Sequence, residues 1–385
     1  MTEKLYYTDS YMNVFEAKVM SCNEAAKGYE IVLDKTVFYP EGGGQPADNG
    51  SLEEAVVKDV KIKDNTIYHL VDRPLEVGRI VKGIIDFNRR FDMMQQHSGE
   101  HIISGIINSK YGYNNVGFHL NDTHMTADVD GELTLEQIKE VERIANEAVY
   151  KNIEVEINTY NNEQVKELIY RSKIELKEDV RLVKVPGYDS CACCGTHVKK
   201  TGEIGIIKIV DSAKHRGGTR LTVLCGNRAL KDYGMKQEVI NKVVGILSAS
   251  PDKISQQIER LQKEIAENKE KQKILIDEII NDKIAGYLKD NKKIYIVCED
   301  VIGAEDIKRM CSSMIDKTNK TCIVVYKDID KLRYVIGNKS EDIRGLCKEL
   351  NSKFNGKGGG NEEMCQGSLQ AELKVIKKYV EENYK

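Results

Sequence analysis

The sequence predicts an α+β protein in four parts: an N-terminal β-barrel, a mixed α+β segment, a helical coiled-coil-like segment and a small C-terminal α/β unit. Three observations predict this. Apolar or alternating runs separated by Gly, Asn and Asp fill residues 1–90. Helical and strand periodicities interleave over 91–230. A stripe of apolar residues at alternating spacings of four and three then follows Pro251. A chain of 385 residues has room for two or three domains, and its 41% apolar content is enough to build their cores.

The elements follow in order. YMNVFEAKVMSC, GYEIVLDKTVFYP, AVVKDVKIKDNTIYHLV and GRIVKGIIDFNRR are the strands of the barrel over 1–90, interrupted by the loop Pro40-Glu41-Gly42-Gly43-Gly44-Gln45-Pro46. Over 91–230, FDMMQQHSGEHIISGIINSKYG is a helix, FHLNDTHMTADVD is strand-like, and TLEQIKEVERIANEAVYKN is an amphipathic helix with a capping signal at Thr134. IEVEINTY is a strand, NEQVKELIY another helix, and GEIGIIKIVDSAKHRGGTRLTVLCG two strands around a basic, Gly-rich turn. Residues 231–290 form a helix pair broken near Ser250-Pro251. Its stripe of Ile254, Ile258, Leu261, Ile265, Asn268, Gln272, Leu275 and Ile279 fits either a dimerising coiled coil or packing within the chain. In 291–385, KKIYIVCEDV, KTCIVVYKD and LRYVIGN are short strands, and a Gly356–Asn361 loop leads into a closing helix, GSLQAELKVIKKYVEENYK.

Composition narrows the function classes. A formal net charge of −3 argues against extended binding to a phosphate backbone but leaves room for a local basic groove. The N-terminus lacks a signal-peptide core, and no apolar run has the length of a membrane span, so a cytoplasmic protein is expected. Ten cysteines in such a chain read as reduced thiols, most of them small buried hydrophobes. Cys191, Cys193 and Cys194, crowded into SCACCGTHV, are the exception.

His97 and His101 stand at i and i+4 on a helix and share a face. Cys193 and His197 repeat that spacing on a Gly-containing turn. Thiolate and neutral imidazole are preferred zinc ligands, so two such pairs predict one Zn2+ per chain. Four protein ligands suit a structural site, whereas catalysis needs an open position; both readings stand. HSGEH also fits the HxxEH pattern of zinc proteases, with Glu100 as base. A cysteine ligand argues against that reading and leaves Glu100 as a base or a supporting group.

HSGEH with the later GFH, CCGTHV and TGEIGIIKI closely resembles the editing domain of alanyl-tRNA synthetases and of the free-standing AlaX proteins. VFYPEGGGQPADNG resembles the glycine-rich motif of their barrel, and GGGNEEMCQGSL resembles their DHHA1 domain. The order of parts matches long AlaX: barrel 1–90, editing domain 91–230, dimerising helices 231–290 and a tRNA-binding DHHA1-like domain 291–385. The tail also resembles that of DHH phosphoesterases, whose catalytic domain is not evident here.

The resemblance implies a hydrolase that deacylates mischarged tRNA(Ala); the difficulty of excluding an added hydroxyl or a smaller side chain makes serine the first expected cargo and glycine the second, and the stripe in 231–290 gives a homodimer as its functional reading. The chain starts at the barrel, so activation of alanine with ATP is not expected. The resemblance carries the zinc ligands to His97, His101, Cys193 and His197; Cys194 stands where relatives often have Gly, and Cys191 is doubtful as a ligand. Gly42, Gly43, Gly44 and Gln45 would line the pocket, with Gln45 offering its amide to substrate. Phe118, His119 and His124 would border it. Lys214, His215, Arg216 and Arg220 would meet acceptor-stem phosphates, and Gly358, Gly359 and Gly360 would present backbone N–H groups to tRNA. The rivals are a zinc-stabilised RNA-binding protein without hydrolysis and an HxxEH metalloprotease.

Overall fold

The computed structural model describes residues 1–172, 179–289, 293–299, 303–328 and 331–384. Parts of the strand expected at 292–301 lie outside the described residues. The chain divides into two compact units, Met1–Lys242 and Val243–Lys385.

In the first unit, strands β1 (Val14–Ala25), β2 (Gly28–Leu33), β3 (Gly50–Leu52), β4 (Ala55–Lys63), β5 (Thr66–Val71) and β6 (Ile80–Ile85) close into a barrel in the order β1-β2-β5-β4-β3-β6. The period of two explains the closure: β6 alternates exposed and buried along its length, so one face supplies the interior. Phe15, Val19, Ile31, Leu33, Phe38, Leu52, Ile67 and Val81 fill that interior. His69 is fully enclosed among them. Its Nδ1–H donates to the Ile31 carbonyl, and its Nε2 lies 2.9 Å from the Thr36 hydroxyl, which donates to it.

Burial lowers the His69 pKa from 6.5 to about 4. The ring stays neutral in the fold, while the unfolded chain takes up the proton below about 6.5. Stability from this group is therefore complete above that pH, declines as pH falls to about 4 and is then level, a loss of about 3 kcal/mol. Urea titrations at several pH values should show this slope, and His69→Gln should remove that increment. Equal slopes for the two proteins would refute the assignment.

The barrel leads into α1 (Phe87–Tyr111), whose Asp86 N-cap accepts from Arg89 N–H and whose end is a left-handed Gly112. Beyond it, β7 (Asn115–Leu120) and β8 (Met125–Val129) form a hairpin, α2 (Leu135–Lys151) follows with a capping box at Thr134 and Gln137, and β9 (Glu156–Tyr160), β10 (Val180–Val185) and β11 (Asp189–Ala192) make a three-stranded sheet. The hairpin joins β12 (Ile207–His215) and β13 (Gly218–Cys225) in the order β12-β13-β8-β7. Ile102, Ile103, Ile106 and Ile107 of α1 pack with Val141 and Ala145 of α2 and with Leu221 and Val223 of the sheet. The single strand-like run expected at 118–130 is thus two strands, because Asn121 Oδ1 accepts from the N–H groups of Thr123 and His124 and turns the chain. The helix expected at 162–170 is one turn, Asn162–Val165. Ile169 beyond it is 97% exposed, so no apolar face exists to carry the helix further.

The helix α3 (Gly226–Leu247) crosses the expected 230/231 division. In the second unit, α4 (Ile254–Tyr287) precedes β14 (Ile294–Glu299), α5 (Ala304–Thr318), β15 (Thr321–Asp328), β16 (Lys331–Gly337), α6 (Arg344–Lys353), β17 (Lys357–Gly360), β18 (Met364–Leu369) and α7 (Leu373–Asn383). The sheet runs β14-β15-β16-β18-β17, with only β14 and β15 parallel. The glycine run expected as a loop is the edge strand β17, and Gly367, Ser368 and Leu369, expected in the closing helix, belong to β18. The reason is steric. A Cβ at Gly358 or Gly360 would fall 2.4 Å or 2.0 Å from backbone oxygens of β18, so glycine permits this close pairing.

Candidate metal centre

Helix α1 presents His97 and His101 one turn apart, and the turn after β11 presents Cys193 and His197. Ligand atoms of all four lie within 4.8 Å of one another. Cys193 Sγ is 3.5 Å from His97 Nε2 and 3.4 Å from His197 Nε2. In a tetrahedral zinc site, bond lengths of ~2.05 and ~2.3 Å place N and S donors about 3.6 Å apart. The spacing fits.

Every imidazole is oriented through its other nitrogen. His97 Nδ1–H donates to Gln45 Oε1 at 2.9 Å, His101 Nδ1–H to Asp189 Oδ2 at 2.9 Å, and His197 Nδ1–H to Ser98 Oγ at 3.1 Å. The three Nε2 atoms thereby face the Cys193 side, available to a metal that displaces any proton they carry. Burial alone would push the Cys193 thiol up, but the imidazoles of His97, His197 and His101 hold it well below the ordinary thiol range. Burial, with the neighbouring His97, lowers His197 to about 3. Burial also opposes a proton on His101, but Cys193 and Asp189 overcome it and raise its pKa well above the usual range. Cys191 is the poorer ligand because burial pushes its thiol up, and Cys194 is exposed.

The glycine-rich loop reaches this centre through Gln45, which is 1% exposed. Its Nε2 donates to Thr196 Oγ1 at 2.8 Å, and its Oε1 accepts from Thr196 N–H as well as from His97. The amide expected to face substrate is engaged by Thr196 and His97. Gly44 has φ +82°, and a Cβ there would lie 2.7 Å from Phe118 Cδ1 and 2.7 Å from the Phe118 carbonyl oxygen. Gly195 is as constrained, since a Cβ would meet His97 Cε1 at 2.2 Å. Phe118 stacks on His97 with centroids 5.0 Å apart. Gln45→Ala is expected to weaken metal binding about 10- to 100-fold, read by chelator competition. An unchanged affinity would remove Gln45 from the ligand shell.

Other expected residues sit differently. His119 is exposed, next to Phe118 on an alternating strand, and His124 is held by Thr123 in the hairpin turn. Glu100 is buried rather than solvated, with its carboxylate accepting from Ser104 and Asn115. Arg220 forms a paired contact with Asp128, and Lys214 pairs with Glu132, so acids already face both cations. Arg216 is exposed at φ +46° in the turn. Gly358, Gly359 and Gly360 are exposed on β17. Sequence reasoning missed Ser98, Thr196, Asp189 and Arg171, whose Nε donates to Asp189 Oδ1 at 2.8 Å. Ser98 and Thr196 carried a signal, their places between His97 and His101 and between Cys193 and His197.

Residues 180–222 match the family described as the threonyl and alanyl tRNA synthetase second additional domain, 2–89 match tRNA synthetases class II (A), and 290–385 match the DHHA1 domain. The alanyl-tRNA editing protein AlaX-L of Pyrococcus horikoshii is 30% identical over 98% of this chain and 96% of its own. The chain belongs to the alanyl-tRNA editing protein family. As an editing-family member it also resembles the alanyl-tRNA editing protein Aarsd1-A of Xenopus laevis, at 31% identity over 67% of this chain and 66% of that one. It is 31% identical to the alanine–tRNA ligase of Pyrococcus furiosus over 96% of this chain, which spans 42% of that enzyme. The candidate metal centre of this editing-family chain draws on the barrel loop, α1 and the Cys193–His197 turn together.

Proposed function

We propose that this chain is a trans-editing aminoacyl-tRNA deacylase that hydrolyses the ester of mischarged tRNA(Ala), serine being the preferred amino acid and glycine the second. Membership of the editing family supports the reaction class. The observation that carries the site is the His97, His101, Cys193 and His197 group with each Nδ1 already engaged. Zinc, when bound there, supplies Lewis-acid polarisation of the ester carbonyl.

The chain's own residues do the rest. Gln45, Asp189 and Ser98 hold the imidazoles in the ligating tautomer. The exposed Gly43 and Gly44 keep the approach to His97 and Phe118 free of side chains. A serine hydroxyl adds a polar handle that a second site can recognise where a first, size-based site cannot. Arg216 supports a phosphate contact better than Lys214 or Arg220, whose acids compete. Glu100 is engaged by Ser104 and Asn115, which favours a supporting role over a protease base.

A second reading has its own support: four protein ligands close a tetrahedral shell, as in structural zinc. One experiment separates the two. Radiolabelled serine release from Ser-tRNA(Ala) is followed beside Gly-tRNA(Ala) and Ala-tRNA(Ala), with zinc-loaded and chelator-treated protein. Fast loss of serine with alanine spared, abolished by chelation, is the expected result. No release by zinc-loaded protein would leave the structural reading. We further propose that α4 pairs with a second copy, because Ile258, Leu261, Ile265, Leu275 and Ile279 are 39–58% exposed along its stripe. No described helix is long and apolar enough to cross a membrane.

A further inference from the structure

Beside the glycine loop, to which Tyr39 is tied through its hydroxyl and the Gly42 carbonyl, and beside the Cys193–Cys194 turn lies an aromatic–cation layer that the proposed reaction does not use. Tyr7 sits on the short helix Leu5–Thr8 and is 36% exposed, while its neighbour Tyr6 is 2% exposed. The two rings meet edge to face at 4.8 Å, and Tyr6 meets Tyr39 in the same way at 5.4 Å, so Tyr7 is the outer member of a braced aromatic row. The Arg181 guanidinium lies 4.9 Å from the Tyr7 centroid. Arg181 Nη1 donates to the Cys193 carbonyl at 2.7 Å, and Cys193 N–H donates back to the Arg181 carbonyl at 3.0 Å. The exposed Cys194 thiol neighbours Tyr7. The layer is thus tied to the backbone of Cys193, a candidate ligand, and braced by Tyr6.

We propose that the Tyr7–Arg181 layer is the stacking platform for the terminal nucleobase of the aminoacyl-tRNA, one ribose away from the ester at the metal. The proposal rests on the deacylase reading for its substrate. The chemistry favours a base over other ligands. A planar guanidinium on a planar phenol is the kind of surface on which unpaired bases stack, and Tyr7 brings it to solvent. Among the described residues the charged groups over the Tyr7 ring are cations, Arg181 and Lys4 (5.7 Å from the centroid), which suits an adenine on a phosphate chain rather than a cation. Stacking tolerates any base, so this site secures affinity, while selection of the amino acid stays at the metal.

The sequence contains no Trp. Tyr7→Trp therefore places a single indole in the platform, and its fluorescence reads stacking without hydrolysis. Binding of uncharged tRNA(Ala) ending in CCA should quench it, and the same tRNA lacking the terminal adenosine should quench it far less. In parallel, Tyr7→Ala should raise KM for Ser-tRNA(Ala) about 10- to 100-fold while kcat changes little, and Tyr7→Phe, which keeps the ring, should restore KM. Equal quenching by the two tRNAs, or an unaltered KM in Tyr7→Ala, would overturn the platform. If the native protein releases no serine, the deacylase reading fails and the fluorescence titration still decides whether a base stacks here.

Discussion

Cys193→Ala is expected to reduce bound metal from one ion per chain to almost none and to cut serine release from Ser-tRNA(Ala) by about a hundredfold or more. Polarisation of the ester is worth several kcal/mol of transition-state stabilisation, and every 1.36 kcal/mol lost is tenfold in rate. The thiolate is the anionic member of the set, and its loss leaves the imidazoles of His97, His101 and His197 without the charge that balances a dication. Metal content by mass spectrometry, serine release and thermal unfolding should fall together. Retention of one ion with native turnover would show that Cys193 is not a ligand. A fall in thermal stability without loss of activity would favour the structural reading.

Arg90→Met is expected to destabilise the first unit by about 3–5 kcal/mol, because it strands a buried carboxylate. Arg90 and Asp48 are 0% and 3% exposed. The guanidinium binds both Asp48 oxygens and donates to the Ser10 carbonyl at 3.0 Å and to the Val37 carbonyl at 2.7 Å. Asp48 also accepts from Tyr39 N–H. This pair ties the glycine loop of the barrel to the helix that bears His97, three residues beyond Gln45 in one segment and seven before His97 in the other. Removing the arginine should therefore also loosen the Gln45–His97 contact and weaken metal binding. The double variant Arg90→Met/Asp48→Leu should be less destabilised than the sum of its single variants, since no charge is left unpaired. Urea unfolding checks both; a single-variant loss below about 1 kcal/mol would refute the buried-charge argument.

The candidate ligand set was legible in the sequence as a cluster because metal chemistry leaves a local pattern: i, i+4 histidines share a helix face, and a cysteine with a histidine four residues on closes a turn. The barrel strands and α1 were legible for a similar reason, since periods of two and 3.6 record which side of an element is buried. The glycine run at 357–360 misled because glycine usually marks a loop, whereas here it admits a neighbouring strand at close range.

The sequence by itself determined the barrel strands and the main helices of both units, but not the 118–130 hairpin, the single turn at 162–165 or the edge strand at 357–360. It also determined the identity of four candidate ligands. Only the tertiary structure decided what orients them. Asp189, Ser98 and Gln45 meet their histidines across separations of 88, 99 and 52 residues, and Arg90 meets Asp48 across 42. Hydrogen bonds between distant segments depend on where the fold brings a side chain and leave no periodic trace. That is why Gln45 could be singled out from the sequence, while its contact with His97, a candidate ligand, could not.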